Sequence, residues 1–236
     1  MRPFRTDELG YVAELEPSER IVLAQLAGDV AQMLQEHAPV DAPGARDLGG
    51  AGDGSEDGEA WAPPGWTGPA PRATGSGTPR SDRRAPLDPA VRRLLPAASD
   101  DAAVAAEFRR FTQDDLAGEK IGRLVLLGQM LVDGEPAHAA PFVVPRDTAK
   151  RVAGALTDVR LVLAERLDLR TDEQVEGLYD ELDAEGDDGP DDASDVDGLA
   201  ARRFLVSVFL LTGLLQESLV DGMLADLRAG RGDARG

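Results

Sequence analysis

The segment from Arg202 to Leu227 constrains the fold of this chain more than any other. Between Phe204 and Leu215 it contains no charge, and only Ser207, Thr212 and Gly213 interrupt the apolar side chains. The uncharged stretch after Arg203 holds 13 residues, fewer than the ~20 that are needed to cross a bilayer. Because such a helix has no polar side to turn toward water, we predict that it is buried and that other helices pack around it.

The amino-acid composition excludes several classes of site. The chain has 236 residues, enough for one or two domains, and no cysteine. Disulfides, thiolate catalysis and cysteine-ligated zinc are therefore excluded, and with only two histidines a multi-histidine metal site within one chain is excluded as well. The N-terminus lacks the apolar core of a secretory signal. We expect a soluble cytoplasmic protein without a cofactor or metal.

The negative charge is concentrated in one part of the chain. The stretch from Asp168 to Asp197 contains 14 acidic residues and one basic residue, Arg170, and so holds most of the net charge of −19. Nonspecific binding to the phosphate backbone of nucleic acids requires clustered lysine and arginine. The stretch therefore disfavours nonspecific nucleic-acid binding by this part of the protein.

The first 37 residues predict a β-hairpin followed by a helix. Residues 2–15 contain a short alternating apolar pattern around a turn that includes Gly10, which is typical of two paired strands. Pro17 then stands where a first helical residue is favoured, and an apolar stripe continues toward His37.

Capping residues and helical periodicity predict five further helices before the apolar segment. They comprise a short helix after Asp88, one capped by the run Ser99-Asp100-Asp101, one opened by Thr112, one from Pro145 to about Leu167 and one opened by Thr171. Glycine and proline between Val132 and Val144 predict a loop there.

The fold class that follows is all-α: a helical bundle around a buried C-terminal helix, with a small N-terminal β-hairpin and a long disordered internal linker. The predicted segments are a hairpin and first helix (1–38), a Gly/Pro-rich linker (39–86), a helical bundle (87–182), an acidic flexible loop (183–197), the central buried helix (198–228) and a disordered tail (229–236).

Two tryptophans stand out in the predicted linker. Trp61 and Trp66, in AWAPPGWTG, are its only large apolar residues. They fit a short linear motif that docks a partner, but two isolated aromatic residues in a linker are the favoured interpretation.

Four polar residues interrupt apolar helix faces and are the candidate site. Arg160 and Arg166 lie in DVRLVLAER, and Gln216 and Glu217 lie in LLQESL. If these helices pack antiparallel, Arg160 or Arg166 meets Glu217 in a partly buried ion pair that orients the bundle. The alternative is a binding pocket, and the substitution Glu217→Leu separates the two, since only the first predicts loss of folding.

No catalytic motif is present in the sequence. It lacks a glycine-rich phosphate loop before lysine and serine, and it lacks a nucleophile elbow. A cluster of arginines (Arg80, Arg83, Arg84, Arg92 and Arg93) has no interleaved aromatic residues and no helix-turn-helix context. We expect a protein that is not an enzyme, and nucleic acid is a disfavoured partner.

Four stretches resemble the DUF2017 family of actinobacteria: ERIVLAQLAGDVAQML, DPAVRRLLPAASDDAAVAAEFRRFTQDDL, ALTDVRLVLAERL and LTGLLQESLV. The resemblance covers both ends of the chain. It implies no catalytic residues, because none are established for a family of unknown function. Members tend to be encoded beside a Clp protease adaptor and a JAMM-type metalloprotease, and some carry the label of transcriptional regulator.

These observations favour a cytoplasmic, non-enzymatic module that binds another protein, with the Clp protease machinery as the implied partner. A DNA-binding transcriptional regulator is the alternative, and it predicts salt-sensitive DNA binding. A helical bundle that binds a small molecule is a third class. The sequence leaves self-association open.

Overall fold

The computed structural model describes residues 1–37, 86–133, 141–183 and 193–233. Its elements in chain order are β1 (Arg2–Asp7), β2 (Gly10–Glu14), α1 (Pro17–His37), α2 (Pro89–Leu94), α3 (Ala102–Val132), β3 (Phe142–Val144), α4 (Ala149–Arg166), α5 (Asp172–Asp183) and α6 (Ala193–Asp233). The protein is predominantly helical with a small N-terminal sheet. The predicted linker with Trp61 and Trp66, and most of the predicted acidic loop, lie outside the described residues.

The predicted hairpin is confirmed, and it gains a third strand. β1 and β2 pair antiparallel around a turn that ends at Gly10, whose φ of +133° favours glycine. β3 adds to the other edge of β2, with Tyr11 opposite Val144 and Ala13 opposite Phe142. The prediction of a loop up to Val144 was therefore wrong at its end, because a three-residue strand is formed by pairing with a distant segment rather than by local pattern.

Side-chain caps start three helices where the sequence predicts them. The carboxylate of Asp88 accepts a hydrogen bond from the Ala90 backbone N–H at 2.7 Å, and Asp101 accepts one from Ala103 at 2.8 Å. At α5, Gln174 accepts from the Thr171 backbone N–H at 3.1 Å and donates its own backbone N–H to the Thr171 hydroxyl at 3.4 Å. These bonds satisfy backbone donors that a helix leaves unpaired at its start.

Two predicted helix boundaries were wrong. Thr112 does not open a helix, because α3 runs through it without a break and its hydroxyl donates to the Phe108 carbonyl at 3.0 Å. A threonine inside a helix commonly bonds back to the carbonyl four residues earlier. The helix expected from Pro145 begins at Ala149, with Thr148 as the residue before it.

Helix α4, and not the C-terminal helix, lies at the centre of the described protein. It packs against α1, α2, α3 and α6, and its buried residues are Ala149, Val152, Ala155, Leu156, Asp158, Val159, Val162 and Leu163. α6 packs mainly on α4 and β1, with α5 along part of its length. The predicted bundle around a buried C-terminal helix is corrected to a helical array centred on α4, with α6 on its outside.

α6 is also longer than the predicted central helix. It covers Ala193–Asp233, so it includes the end of the predicted acidic loop and most of the predicted tail. No proline follows Pro190 in the sequence. Once a helix is nucleated, each added residue gains one backbone hydrogen bond, so extension in both directions needs no strong local propensity.

Candidate protein-docking groove

The outer side of α6 carries an apolar stripe that no described residue covers. The stripe consists of Leu214, Val220, Leu224 and Leu227, whose side chains are between 36% and 58% exposed. The last three recur at intervals of four and three residues, so they lie on one side of the helix, whereas Leu214, six residues before Val220, faces a neighbouring side. Contiguous exposed apolar surface is uncommon on a monomer and marks an interaction site.

The stripe opens at one end into a groove between α5 and α6, which we call the α5–α6 groove. Its volume is about 480 Å³, and it is lined by Arg160, Val175, Tyr179, Phe209, Leu210, Gly213, Leu214, Gln216, Glu217 and Val220. Most of these side chains are apolar, and the polar ones lie together. A mainly apolar concavity with a few convergent polar groups is the usual form of a recognition site.

Helix α5 forms one wall of the groove and is fixed from both ends. Leu178 is buried in the core, while Tyr179 is 60% exposed on the groove side. Near the C-terminal end, Arg202 of α6 forms a two-point ion pair with Glu181, with N–O distances of 2.7 and 3.0 Å. At the start, the backbone N–H of Arg170 donates to Gln174 at 2.6 Å.

Two of the four predicted site residues meet in this groove. Arg160 of α4 donates a hydrogen bond from Nη1 to Oε1 of Gln216 at 2.8 Å, and Gln216 donates from Nε2 to the Thr157 hydroxyl at 2.7 Å. The Arg160 guanidinium also lies over the ring of Phe209, 5.1 Å from its centroid. The contact is partly buried, and it holds Arg160 in one orientation.

The other two predicted residues are placed elsewhere. Arg166 forms an ion pair with Asp88 at 2.9 Å, at the C-terminal end of α4. Glu217 lines the groove but is exposed. Among the described residues neither arginine pairs with Glu217, so the predicted ion pair is corrected to a charged-to-neutral hydrogen bond between Arg160 and Gln216.

Exposed acidic side chains border the groove and the stripe. Glu217 and Asp221 are exposed on α6, next to the stripe residues. On α5, Asp172 and Glu176 are exposed and lie seven and three residues from Tyr179, which places them on the same side of the helix. The apolar surface is thus flanked by negative charge on both helices.

A buried charged cluster that was not predicted from the sequence lies between α3 and α4. Asp158 is fully buried, with Lys120 Nζ 2.6 Å from Oδ1 and Arg123 Nε 2.6 Å from Oδ2. The sequence signal for this cluster is that two cations, Lys120 and Arg123, stand three residues apart within the apolar pattern of α3. The cluster fixes α3 against α4.

A second contact that was missed attaches α6 to the sheet. Asp226 accepts hydrogen bonds from Arg146 Nε at 2.8 Å and from the Tyr11 hydroxyl at 3.0 Å. The Arg146 hydrogen bond, together with that of Tyr11, lowers the pKa of Asp226. Burial, followed by the hydrogen bond to Asp226, raises the pKa of Tyr11. These contacts hold the C-terminal half of α6 so that its opposite side faces outward.

The predicted arginine cluster does not form one surface in the described residues. Arg80, Arg83 and Arg84 lie outside them. Arg93 pairs with Glu165 at 2.8 Å, and Glu165 also binds Arg170. The Arg170 hydrogen bond is the main reason that the pKa of Glu165 is lowered.

In the part of the chain that the structure describes, no three histidine, cysteine or acidic residues come together as a metal site. In the same residues, the stretch Gly198–Gly230 of α6 is long and apolar enough to cross a membrane by length and composition alone.

Comparisons with known proteins identify a family and no individual relative. Neither the search of curated proteins nor the search of solved structures finds a match. The family model for DUF2017, a domain of unknown function, matches residues 1–223, which is nearly the whole chain. The resemblance seen in the sequence is thereby confirmed, and the chain belongs to the DUF2017 family.

Proposed function

We propose that this protein is a non-enzymatic, cytoplasmic interaction module that binds an amphipathic helix of another protein in the α5–α6 groove and along the α6 stripe. The observation that carries the proposal is the exposed apolar side of α6, which leads into the groove beside Tyr179. Helices recognise such surfaces by placing apolar residues spaced three and four apart into a groove.

The charges around the groove select the kind of partner. Acidic residues on both helices, among them Glu176 and Asp221, favour lysine and arginine beside the apolar face of the partner helix. An anionic lipid surface would be repelled by the same residues. A second copy of this chain, docked through the same stripe, would bring Glu217 and Asp221 toward their own counterparts, which is unfavourable. We therefore propose a basic amphipathic helix as the ligand.

The family resemblance supports regulated proteolysis as the process in which such a module acts. A component of the Clp protease machinery is accordingly the first partner to test. Transcriptional regulation is the alternative, and the acidic surroundings of the groove give it no support at this site. Salt-sensitive binding of duplex DNA by the purified protein would favour the alternative, and a flat gel-shift at low salt would remove it.

The proposal is tested by site-specific photo-crosslinking in cells of the source organism. A photoreactive amino acid replaces Leu214 in the stripe, and the cross-linked peptides are identified by mass spectrometry. We expect a segment of another protein with an apolar helical face flanked by lysine or arginine. Cross-links only to a second copy of this chain, only to lipid, or to nothing would contradict the proposal.

A matched control uses the same photoreactive amino acid at Ile21 of α1, which is 47% exposed and lies away from the groove. A partner that depends on the groove is captured from position 214 and not from position 21. The double substitution of Val220→Lys and Leu224→Lys should also abolish capture, because it places charge in the stripe while leaving the buried side of α6 unchanged.

A further inference from the structure

The charge of Arg160 lacks an acidic partner in the described protein. Its guanidinium is always ionised, yet its one hydrogen bond to a described residue is the Nη1 bond to the neutral amide of Gln216. Its Nε is enclosed and has no hydrogen-bond partner among those residues. The arginines of the neighbouring clusters differ, since Arg123, Arg166 and Arg170 all pair with carboxylates.

The surroundings hold Arg160 in place without neutralising it. Gln216 fixes one nitrogen, and the ring of Phe209 lies under the guanidinium. Gly213 packs beside the guanidinium, since a Cβ built there would stand in ordinary van der Waals contact, 3.6 to 3.7 Å from Cζ, Nε and Nη2. A cation that is pre-positioned in a mainly apolar groove gains most from an anionic partner, because hydrogen bonds to charged groups are roughly twice as strong as neutral ones.

We infer that Arg160 binds a carboxylate side chain of the partner helix, so that the ligand has a basic border and one acidic residue that reaches into the groove. This inference rests on the proposed function, because it assigns an anchor within the same α5–α6 groove. It also defines a specificity rule. Among basic amphipathic helices, those with an aspartate or glutamate beside the apolar face are preferred over those with an amide.

The experiment compares two synthetic peptides of about 15 residues, roughly four helical turns, with a leucine face and lysine borders. Both are acetylated and amidated, so neither carries a terminal charge. One has a single glutamate at the edge of the apolar face, and the other has glutamine there. Binding of each labelled peptide to the full-length protein is measured by fluorescence anisotropy at fixed salt.

We expect the wild-type protein to bind the glutamate peptide about tenfold more tightly than the glutamine peptide, as befits one charge-assisted hydrogen bond. Arg160→Gln should abolish this preference, and Arg160→Lys, which keeps the cation, should retain part of it. Arg166→Gln removes an arginine of the same helix that already pairs with Asp88, and it should leave the preference unchanged.

The possible outcomes separate the two proposals. Equal affinities of the wild-type protein for both peptides would overturn the role of Arg160 while leaving the docking groove intact. Binding of neither peptide would overturn both. A glutamate preference that survives in a folded Arg160→Gln variant would assign the carboxylate to another residue and overturn the inference.

Discussion

Helices α4 and α6 pack against each other, yet they meet the rest of the protein in opposite ways. α4 has neighbours on several sides and buries a carboxylate, Asp158, in its interior face. α6 is the most apolar helix in composition, yet it leaves Leu214, Val220, Leu224 and Leu227 exposed. Helix α4 thus has a charged side chain in the protein interior, whereas α6 has apolar side chains exposed to water.

The contrast teaches that the number of neighbours, and not apolarity alone, decides whether a helix is buried. Apolar residues favour the interior, but much of any protein surface is apolar as well. The informative deviations are a buried polar group and an exposed apolar patch, and in the described residues α4 provides an example of the first and α6 an example of the second. The buried charge on α4 is closed by two cations and serves stability. The exposed stripe on α6 has no described neighbour and is where we locate function.

The largest effect is expected from removing the charge buried in α4. Asp158→Asn leaves Lys120 and Arg123 without their counter-charge in an interior contact. Breaking a buried pair in this way costs about 3–5 kcal/mol. Urea unfolding followed by circular dichroism should therefore show a much lower midpoint. Asp221→Asn on α6, an exposed acid, serves as the control and should leave the midpoint nearly unchanged.

Replacing all three charged residues of the cluster tests whether the instability of Asp158→Asn comes from the two cations left unpaired. Changing Lys120→Met, Arg123→Leu and Asp158→Leu together removes all three charges and should recover much of the stability lost in Asp158→Asn, because apolar replacement of a complete buried cluster is often neutral. A triple variant as unstable as the single one would show that the cluster does more than satisfy its own charges.

The two sides of α6 should differ in their response to truncation. Leu219 is fully buried, so Leu219→Ala should cost about 3 kcal/mol through lost burial and a cavity. Leu214 is 45% exposed, and Leu214→Ala should change the free energy of unfolding by less than about 0.5 kcal/mol. The same Leu214→Ala variant should bind the glutamate peptide more weakly, because it removes an apolar contact from the α5–α6 groove. Equal destabilisation by both substitutions would mean that the stripe is covered in solution.

Acid should weaken the attachment of α6 to the sheet. Hydrogen bonds from Arg146 and Tyr11 depress the pKa of Asp226 below its ordinary value of 3.8. A depressed folded-state pKa stabilises the fold above the unfolded value, and this contribution is lost as the pH falls through the folded value. Thermal unfolding at about pH 6 and about pH 3 should show a smaller acid effect in Asp226→Asn than in the wild-type protein. An identical acid effect in both proteins would exclude this contact as a source of acid sensitivity.

The smallest effect is expected at Glu217. This residue is exposed and unpaired among the described residues, so Glu217→Gln should change stability by less than about 0.5 kcal/mol. The substitution should also strengthen binding of the glutamate peptide modestly, since it removes a like charge from the groove. A clear loss of stability would instead indicate that Glu217 pairs with Arg160 in solution.

Local signals predicted the elements of this fold well. Asp88, Asp101 and the Thr171–Gln174 pair begin helices where their capping patterns place them. The helix starts predicted at Thr112 and Pro145 were wrong, because a polar cluster resembles a cap whether or not the chain continues as a helix. The strand β3 was not predicted for a different reason: its hydrogen bonds are made with β2, more than a hundred residues away in sequence.

The candidate site was predicted only in part. The polar residues Arg160 and Gln216 stood out against apolar helix faces, and the fold brings them within 2.8 Å. The predicted partner of Arg160 was Glu217, one residue from the correct one. Adjacent helical residues point about 100° apart, so the choice between them depends on the rotation of α6 about its axis. The contact of Asp226 with Arg146 and Tyr11 is one of the interactions that fix this rotation, and no local pattern connects it to the groove.

The sequence by itself determined the helical class, the hairpin, most helix starts and the family to which the chain belongs, because these depend on residues close together in the chain. Only the tertiary structure decided which helix lies at the centre and which side of α6 faces outward. Periodicity measures how apolar a helix face is, whereas burial depends on how many other elements reach it. For α6 those elements are α4, α5 and the sheet, and the side they leave uncovered is the one that we propose binds the partner.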